Sequence, residues 1–235
     1  MHFTAFDTRE GLAQWLAETV ASALRKSISR RETASLAVSG GSTPKLFFQH
    51  LSRQVLDWDK VTVTLVYERW VPGNSDRSNA RLVAIELLQR DAARASFLPL
   101  YRPELTPETI GEIEDEISPL LPFSTVVLGM GADGHTASFF PGGKNLEAAV
   151  KPDTQRLLIG TEAEGAGEPR VTLTLPPLVN AENTFLHIEG QQKRDVLEEA
   201  SGAGDPAAMP IRFVLAALPD IRVVWAPLGR SAALE

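Results

Sequence analysis

TVVLGMGADGHTASFFPGG, residues 125–143, decides the reading of this chain. An apolar, β-branched run (Thr125, Val126, Val127, Leu128) stops at a turn rich in glycine (Gly129, Gly131, Gly134) that carries Asp133 and His135, then Thr136 and Ser138. A buried strand ending in glycines brings backbone N–H groups and a few polar side chains to the edge of an α/β sheet. A histidine there is placed to move a proton near neutral pH. By itself the turn is also compatible with plain surface structure. Gly129-Met-Gly131-Ala-Asp-Gly134 matches G-x-G-x-x-G, but Pro141 and Gly142-Gly143 interrupt the long helix a dinucleotide site needs. No strand ending in an acid follows at the required distance, so a nicotinamide site is rejected.

Composition narrows the classes. The chain has 235 residues, 43% hydrophobic and 23% charged, an ordinary globular balance. Its net charge of −7 argues against a nucleic-acid partner, which needs a basic footprint. A small anion remains open, because a few local cations suffice to hold one. With no cysteine there is no disulfide and no thiolate ligand or nucleophile. MHFTAFDTREGL lacks the pattern of a signal peptide, and no apolar run reaches membrane-spanning length, so the expected location is the cytoplasm. Leu234-Glu235, a pair that cloning can leave behind, carries no weight.

Strands and helices alternate along the chain. Residues 2–6 read as a strand. Asp7 and Glu10 form a capping-box pattern ahead of a helix with Leu12, Trp15, Leu16, Val20, Ala23 and Leu24 on one face. Ser35–Val38 and Val61–Val66 read as buried strands. Helices are expected over Lys45–Ser52, over Asn79–Ala92 with Ser78 as N-cap, and from Thr106-Pro107 to Ser118-Pro119. Strand-like runs follow at 156–160, 170–175 and 184–189, a helix at 191–200, and apolar segments at 211–217 and 222–226. The loop 162–169 reads as mobile. The pattern predicts one α/β domain over 1–235: an open, largely parallel, doubly wound sheet with helices on both faces, a three-layer α/β/α arrangement.

A second glycine loop, Ser39-Gly40-Gly41-Ser42-Thr43-Pro44, follows a strand and opens a helix, with Thr43 expected as N-cap and Pro44 as the first helical residue. Glycines let a ligand approach the backbone, and free N–H groups attract anions. The loop lacks the nucleotide P-loop pattern. Both glycine loops and the Glu68–Arg77 loop follow strands, so they converge at the carboxyl edge of the sheet, with Lys193 as a possible fourth contributor.

In this order SGGSTP, ERWVP with SDRSN, GMGADGHTASFFPG, RVTLTLPPLVN and GQQK resemble the 6-phosphogluconolactonase family over roughly residues 10–226. That family is related in fold to the glucosamine-6-phosphate deaminases. The resemblance implies a hydrolase, without cofactor or metal, that opens 6-phospho-D-glucono-1,5-lactone to 6-phosphogluconate in the pentose phosphate pathway. It implies His135 as general base and Asp133 as its orienter or as a shaper of the turn. The N–H groups of Gly40, Gly41 and Ser42 would serve the oxyanion or the phosphate, and Thr43, Lys193 and Arg170 the phosphate. Glu68, Arg69 and Arg77 would add ligand contacts, with Asn79 holding the loop. The expected partner is a phosphosugar lactone, with the protein a monomer or small homo-oligomer. His2, His50 and His187 fall outside the matching motifs and read as structural or surface residues.

One position departs from the family. Tyr67-Glu68-Arg69 stands where the family usually reads Asp-Glu-Arg. A phenol, with pKa about 10, is a poor base at neutrality. This weakens a deaminase reading, the second hypothesis, and keeps alive a third, a sugar-phosphate sensor without turnover.

Overall fold

Strand β2 (Ala34–Val38) is buried along its whole length and pairs in parallel with β3 (Val61–Leu65) on one side and β6 (Thr125–Leu128) on the other. Its apolar ASLAV sequence suits a strand covered on both faces. The computed structural model describes residues 1–164 and 166–229 and builds a seven-stranded, all-parallel sheet around these three. Beyond β3 lies β5 (Ser96–Leu98); beyond β6 lie β9 (Thr184–Glu189), β10 (Arg222–Ala226) and the edge strand β1 (His2–Ala5). From β2 the chain steps outward to β3 and β5, and from β6 it steps the opposite way to β9 and β10. The carboxyl ends of β2 and β6 therefore flank the point where the winding reverses, the site at which open α/β sheets bind ligands.

Right-handed crossovers assign the helices to two layers. On one side α1 (Arg9–Arg31) packs on α2 (Lys45–Leu51), and α2 on α3 (Asn79–Glu86). After the short α4 (Glu114–Ile117), the other side carries α5 (Leu146–Val150), α6 (Leu175–Val179), α7 (Gln191–Ser201) and α8 (Ile211–Ala217), in contact with one another. α1 buries Leu12, Leu16, Val20 and Leu24 at helical spacing. Its N-cap is Thr8, whose hydroxyl accepts from the Gly11 N–H at 3.0 Å, in place of the expected Asp7 and Glu10 box; Glu10 instead meets His50 at 2.7 Å.

Three expectations are corrected. The runs near 156–160 and 170–175 do not join the main sheet: β7 (Leu158–Thr161) and β8 (Arg170–Leu173) form an antiparallel sheet with β4 (Tyr67–Arg69). The reason is connectivity, since no helix separates β7 from β8 and a short loop joins only antiparallel neighbours. The 162–169 loop, expected to be mobile, contains Gly165, which lies outside the described residues, as does Leu234-Glu235. α3 stops at Glu86, and the 106–119 segment is broken into 3₁₀ turns around α4.

Alternation along β4 sorts its side chains. Tyr67 and Arg69 face one way and Glu68 the other, so Glu68, expected at the ligand, is fully buried away from it. Its carboxylate accepts from the N–H groups of Arg69 (2.7 Å), Asn79 (2.8 Å) and Ala80 (2.7 Å) and from the Ser78 hydroxyl (3.1 Å). Burial raises its pKa, against the pull of these four donors. Ser78 caps α3 as expected, accepting from the Arg81 N–H.

Replacing Glu68 leaves three backbone donors without their acceptor. Glu68→Ala is expected to lower the unfolding free energy by about 3 kcal/mol or more in urea titration, with Glu68→Gln milder. A loss under about 1 kcal/mol in Glu68→Ala would show that water replaces the carboxylate freely.

Candidate active site

A cleft of about 250 Å³ opens where the winding reverses, lined by the loop after β2 (Ser39 to Pro44), the turn after β6 (Gly129, Met130, Gly131, His135, Ala137), Tyr67 and Arg69 of β4, Arg170 of β8, and His187 and Lys193. Of the residues expected at the site, Gly40, Gly41, Ser42, Thr43, Arg69, His135, Arg170 and Lys193 meet here, with Asp133 directly behind His135. Glu68 and Arg77 do not line it. Arg77 is drawn outward by Glu168, with Nε to Oε1 at 2.6 Å.

The two glycine loops are shaped by contact. Gly41 has φ +92°, a conformation glycine accepts without strain. A Cβ on Gly40 would strike the Asn79 side chain, which is held by donating to the Tyr67 carbonyl (2.9 Å) and accepting from Arg69 Nη1 (3.2 Å). The Ser39 hydroxyl ties the loops together by accepting from the Gly129 N–H at 3.2 Å. Thr43 is not the helix cap expected for it: α2 begins at Lys45 after Pro44, and the Thr43 hydroxyl instead accepts from Lys193 Nζ at 3.3 Å.

The imidazole of His135 is fixed from behind. Asp133 Oδ1 lies 2.6 Å from Nδ1 and also accepts from the His135 N–H at 3.1 Å. Burial works to raise the Asp133 carboxyl, but hydrogen bonding and the charge of His135 outweigh it and bring its pKa down to about 2. An ionised carboxylate only accepts, so Nδ1 carries the hydrogen, and in the neutral ring Nε2 keeps the lone pair. Phe140 packs on the ring at 4.6 Å, and a Cβ on Gly131 would strike the ring. Ala137, at φ +52°, takes a strained turn between them that costs on the order of 1 kcal/mol.

Cations line the same cleft. Arg69 and Arg170 are direct cross-strand partners in the β4–β8 ladder. Like charges in that relation repel, and burial together with Arg69 lowers the Arg170 pKa. Their bonds go to uncharged acceptors: Arg69 Nη1 to the Arg77 carbonyl (2.8 Å) and Asn79, Arg170 Nη2 to the Ala166 carbonyl (2.8 Å). The buried Nε of each has no partner among the described residues. Arg170 also lies over the Phe140 ring at 5.1 Å, so base and cation rest on one aromatic side chain. Among the described residues, none of Arg69, Arg170 and Lys193 has a carboxylate partner, in a protein of net charge −7. No group of three metal-ligating side chains occurs among the described residues, and no helix there is long and apolar enough to cross a membrane.

A family model for glucosamine-6-phosphate isomerases/6-phosphogluconolactonase matches residues 7–225. The chain belongs to this family. Within it, a Rhizobium meliloti (strain 1021) protein named 6-phosphogluconolactonase is 54% identical over 94% of this chain and 97% of its own. A Mesorhizobium japonicum protein of the same name is 47% identical over 96% and 95%. The crystal structure of a 6-phosphogluconolactonase from Shewanella baltica superimposes with TM-score 0.91 at 42% identity, covering 96% of this chain and 97% of that one. These relatives carry the name of a lactone hydrolase.

His187 was expected to be structural or a surface residue, yet it is buried and lines the cleft. The readable signal is a pair of polar residues, His187 and Glu189, two apart in the otherwise apolar β9 and hence on one face. Phe140 was missed because its role is to pack.

The Gly40–Asn79 contact generates a prediction. Gly40→Ala is expected to cost about 1–3 kcal/mol of stability from overpacking and to lower activity more than tenfold by displacing the loop. Thermal melts and steady-state kinetics check it, and near-normal values for both would show that Asn79 yields.

Proposed function

We propose that this protein hydrolyses 6-phospho-D-glucono-1,5-lactone to 6-phosphogluconate, the oxidative-branch step of the pentose phosphate pathway, with His135 as general base. The observation that carries the reading is an imidazole backed by an ionised Asp133, in one cleft with Arg69, Arg170 and Lys193. The family's lactonases at 42–54% identity support the substrate class.

The chemistry follows from the groups present. Water attacks the lactone carbonyl carbon while His135 Nε2 takes its proton. The carbonyl oxygen becomes an oxyanion, and N–H groups of Gly40, Gly41 and Ser42 are the donors offered to it; none of them meets an acceptor within the described residues. Collapse breaks the bond from the carbonyl carbon to the ring oxygen, which takes the proton back from His135 and leaves as a hydroxyl. The new carboxyl then loses its proton to solvent. Arg170, Arg69, Lys193 and Thr43 hold the phosphate away from the reacting carbon. Tyr67 is buried, which raises its pKa, so it stays neutral and shapes the wall. The missing carboxylate at that position disfavours deaminase chemistry, which needs a base for a substrate C–H proton.

His135→Ala is expected to lower kcat about 10²–10⁴-fold with little change in KM, and Asp133→Asn to lower kcat at least about tenfold by releasing the tautomer. Asp133, at about 2, stays ionised through the working range. An acid-side fall of kcat/KM in the unaltered protein should vanish in His135→Ala. A coupled assay for 6-phosphogluconate, corrected for spontaneous opening, tests this; His135→Ala retaining more than about a tenth of the rate would move the base elsewhere. Phosphosugar binding with no turnover by the unaltered protein would favour a sensor.

Arg170→Ala is expected to raise KM for the phosphorylated lactone about tenfold or more and to leave unphosphorylated gluconolactone nearly unaffected. Equal slowing of both lactones would place Arg170 in the chemistry or the fold.

A further inference from the structure

Behind the Lys193 end of the cleft lies a buried charged chain that the proposed reaction does not use. Glu189, at the end of β9, is 5% exposed; its Oε2 accepts from Arg9 Nε at 2.6 Å. Its Oε1 stands 3.3 Å from Nε2 of the buried His187, and neither of those two atoms has an aligned hydrogen bond. The Phe47 ring stands edge-on to His187. From Glu189 the chain turns through Gly190, at φ +86°, into α7, which carries Lys193 back over the cleft.

We propose that Arg9, Glu189 and His187 form a positioning device that gives Lys193 a counter-charge at one remove and so leaves its ammonium free to take the substrate phosphate. The inference rests on Lys193 belonging to the phosphate subsite. The geometry shows why an indirect partner serves better than a direct one. A lysine ion-paired to a carboxylate would have to break that pair before binding phosphate. Among the described residues, Glu189 forms no ion pair with Lys193; its carboxylate is taken up by Arg9, while Lys193 Nζ donates only to Thr43. Burial lowers the Lys193 pKa, and the field of Glu189 opposes that fall. Burial likewise works to raise the Glu189 carboxyl, but His187 and Arg9 outweigh it and keep it ionised. Arg9 at the same time offsets the repulsion Glu189 would exert on a phosphate dianion.

The other groups about Lys193 are accounted for. Arg194 turns away to stack over Trp225 and Phe3, and Asp195 accepts from Gln191. Phe48 of α2 is uncharged, and the other titratable groups that line the cleft besides Tyr67, namely Arg69, Arg170, His135 and His187, are bases. Glu189 is therefore the acidic group that acts on Lys193.

The test is calorimetric binding of 6-phosphogluconate from about pH 7.5, where the phosphate is already a dianion, to about pH 10. Wild-type affinity should fall on the alkaline side as Lys193 loses its proton. In Glu189→Gln that fall should begin about one pH unit lower, while binding at the neutral end is unchanged or tighter. Arg9→Gln should do the reverse, weakening neutral binding and moving the alkaline fall upward. A structural defect cannot produce opposite displacements. Arg9 is partly exposed, so its variant decides the matter alone if Glu189→Gln does not fold. An unshifted profile in both variants, a uniform loss across the range in Glu189→Gln, or displacement of both in one direction overturns the proposal. Undiminished binding by Lys193→Met, or no binding by the wild type, overturns the phosphate reading itself.

Discussion

One buried carboxylate organises the wall of the cleft. Glu68 gathers the N–H groups of Arg69, Asn79 and Ala80 and thereby fastens strand β4 to the start of helix α3. Because β4 alternates, anchoring Glu68 on one face aims Tyr67 and Arg69 at the other. Anchoring Asn79 in turn fills the space over residue 40, where only glycine fits. The position of the first glycine loop, the direction of Arg69 and the register of the β4–β8 ladder thus share one origin. Each donor gathered by Glu68 is satisfied only while that arrangement persists, which makes it cooperative.

Against this rigid frame the protein holds Arg69 and Arg170 side by side. A cross-strand pair of like charges runs against sheet stability, and partial burial adds to the penalty. Natural sequences retain such conflicts where a ligand resolves them. On the proposed function, an arriving dianion would find donors already oriented, with their repulsion turned into affinity. The same logic runs through His135, where Asp133, Phe140 and Gly131 remove the ring's freedom before any substrate enters.

Much of this was legible in the sequence, for identifiable reasons. Apolar β-branched runs ending in glycine marked β2 and β6, and the loops after them are the two that meet at the cleft. The DGH turn marked His135 and Asp133, which the fold places 2.6 Å apart. The antiparallel sheet was not legible, because a three-residue strand such as Tyr67–Arg69 carries no period that separates it from a loop. That omission misplaced Glu68, which belongs to the far face of a strand the pattern did not show. Arg77 looked equally available until its pairing with Glu168 was seen, a contact between residues ninety-one positions apart. His187 and Glu189 were overlooked because the turn motif drew the histidine reading, although two polar side chains inside a central strand are themselves a signal.

The pairing of β1 with β10 has a consequence for how the protein is made. Residues 2–5 lie against residues 222–225, so β1 meets its partner only after strands β2 to β9 have been made. Until then β1 is unpaired, and β9, once made, lacks a neighbour on one side. Contacts of such long sequence separation form late and slowly. The sheet therefore stays open at the β9 side until β10 has been made, the state in which edge-to-edge association is hardest to avoid. The strand that waits is also short and exposed on every residue, a form that gives a stray partner little to hold.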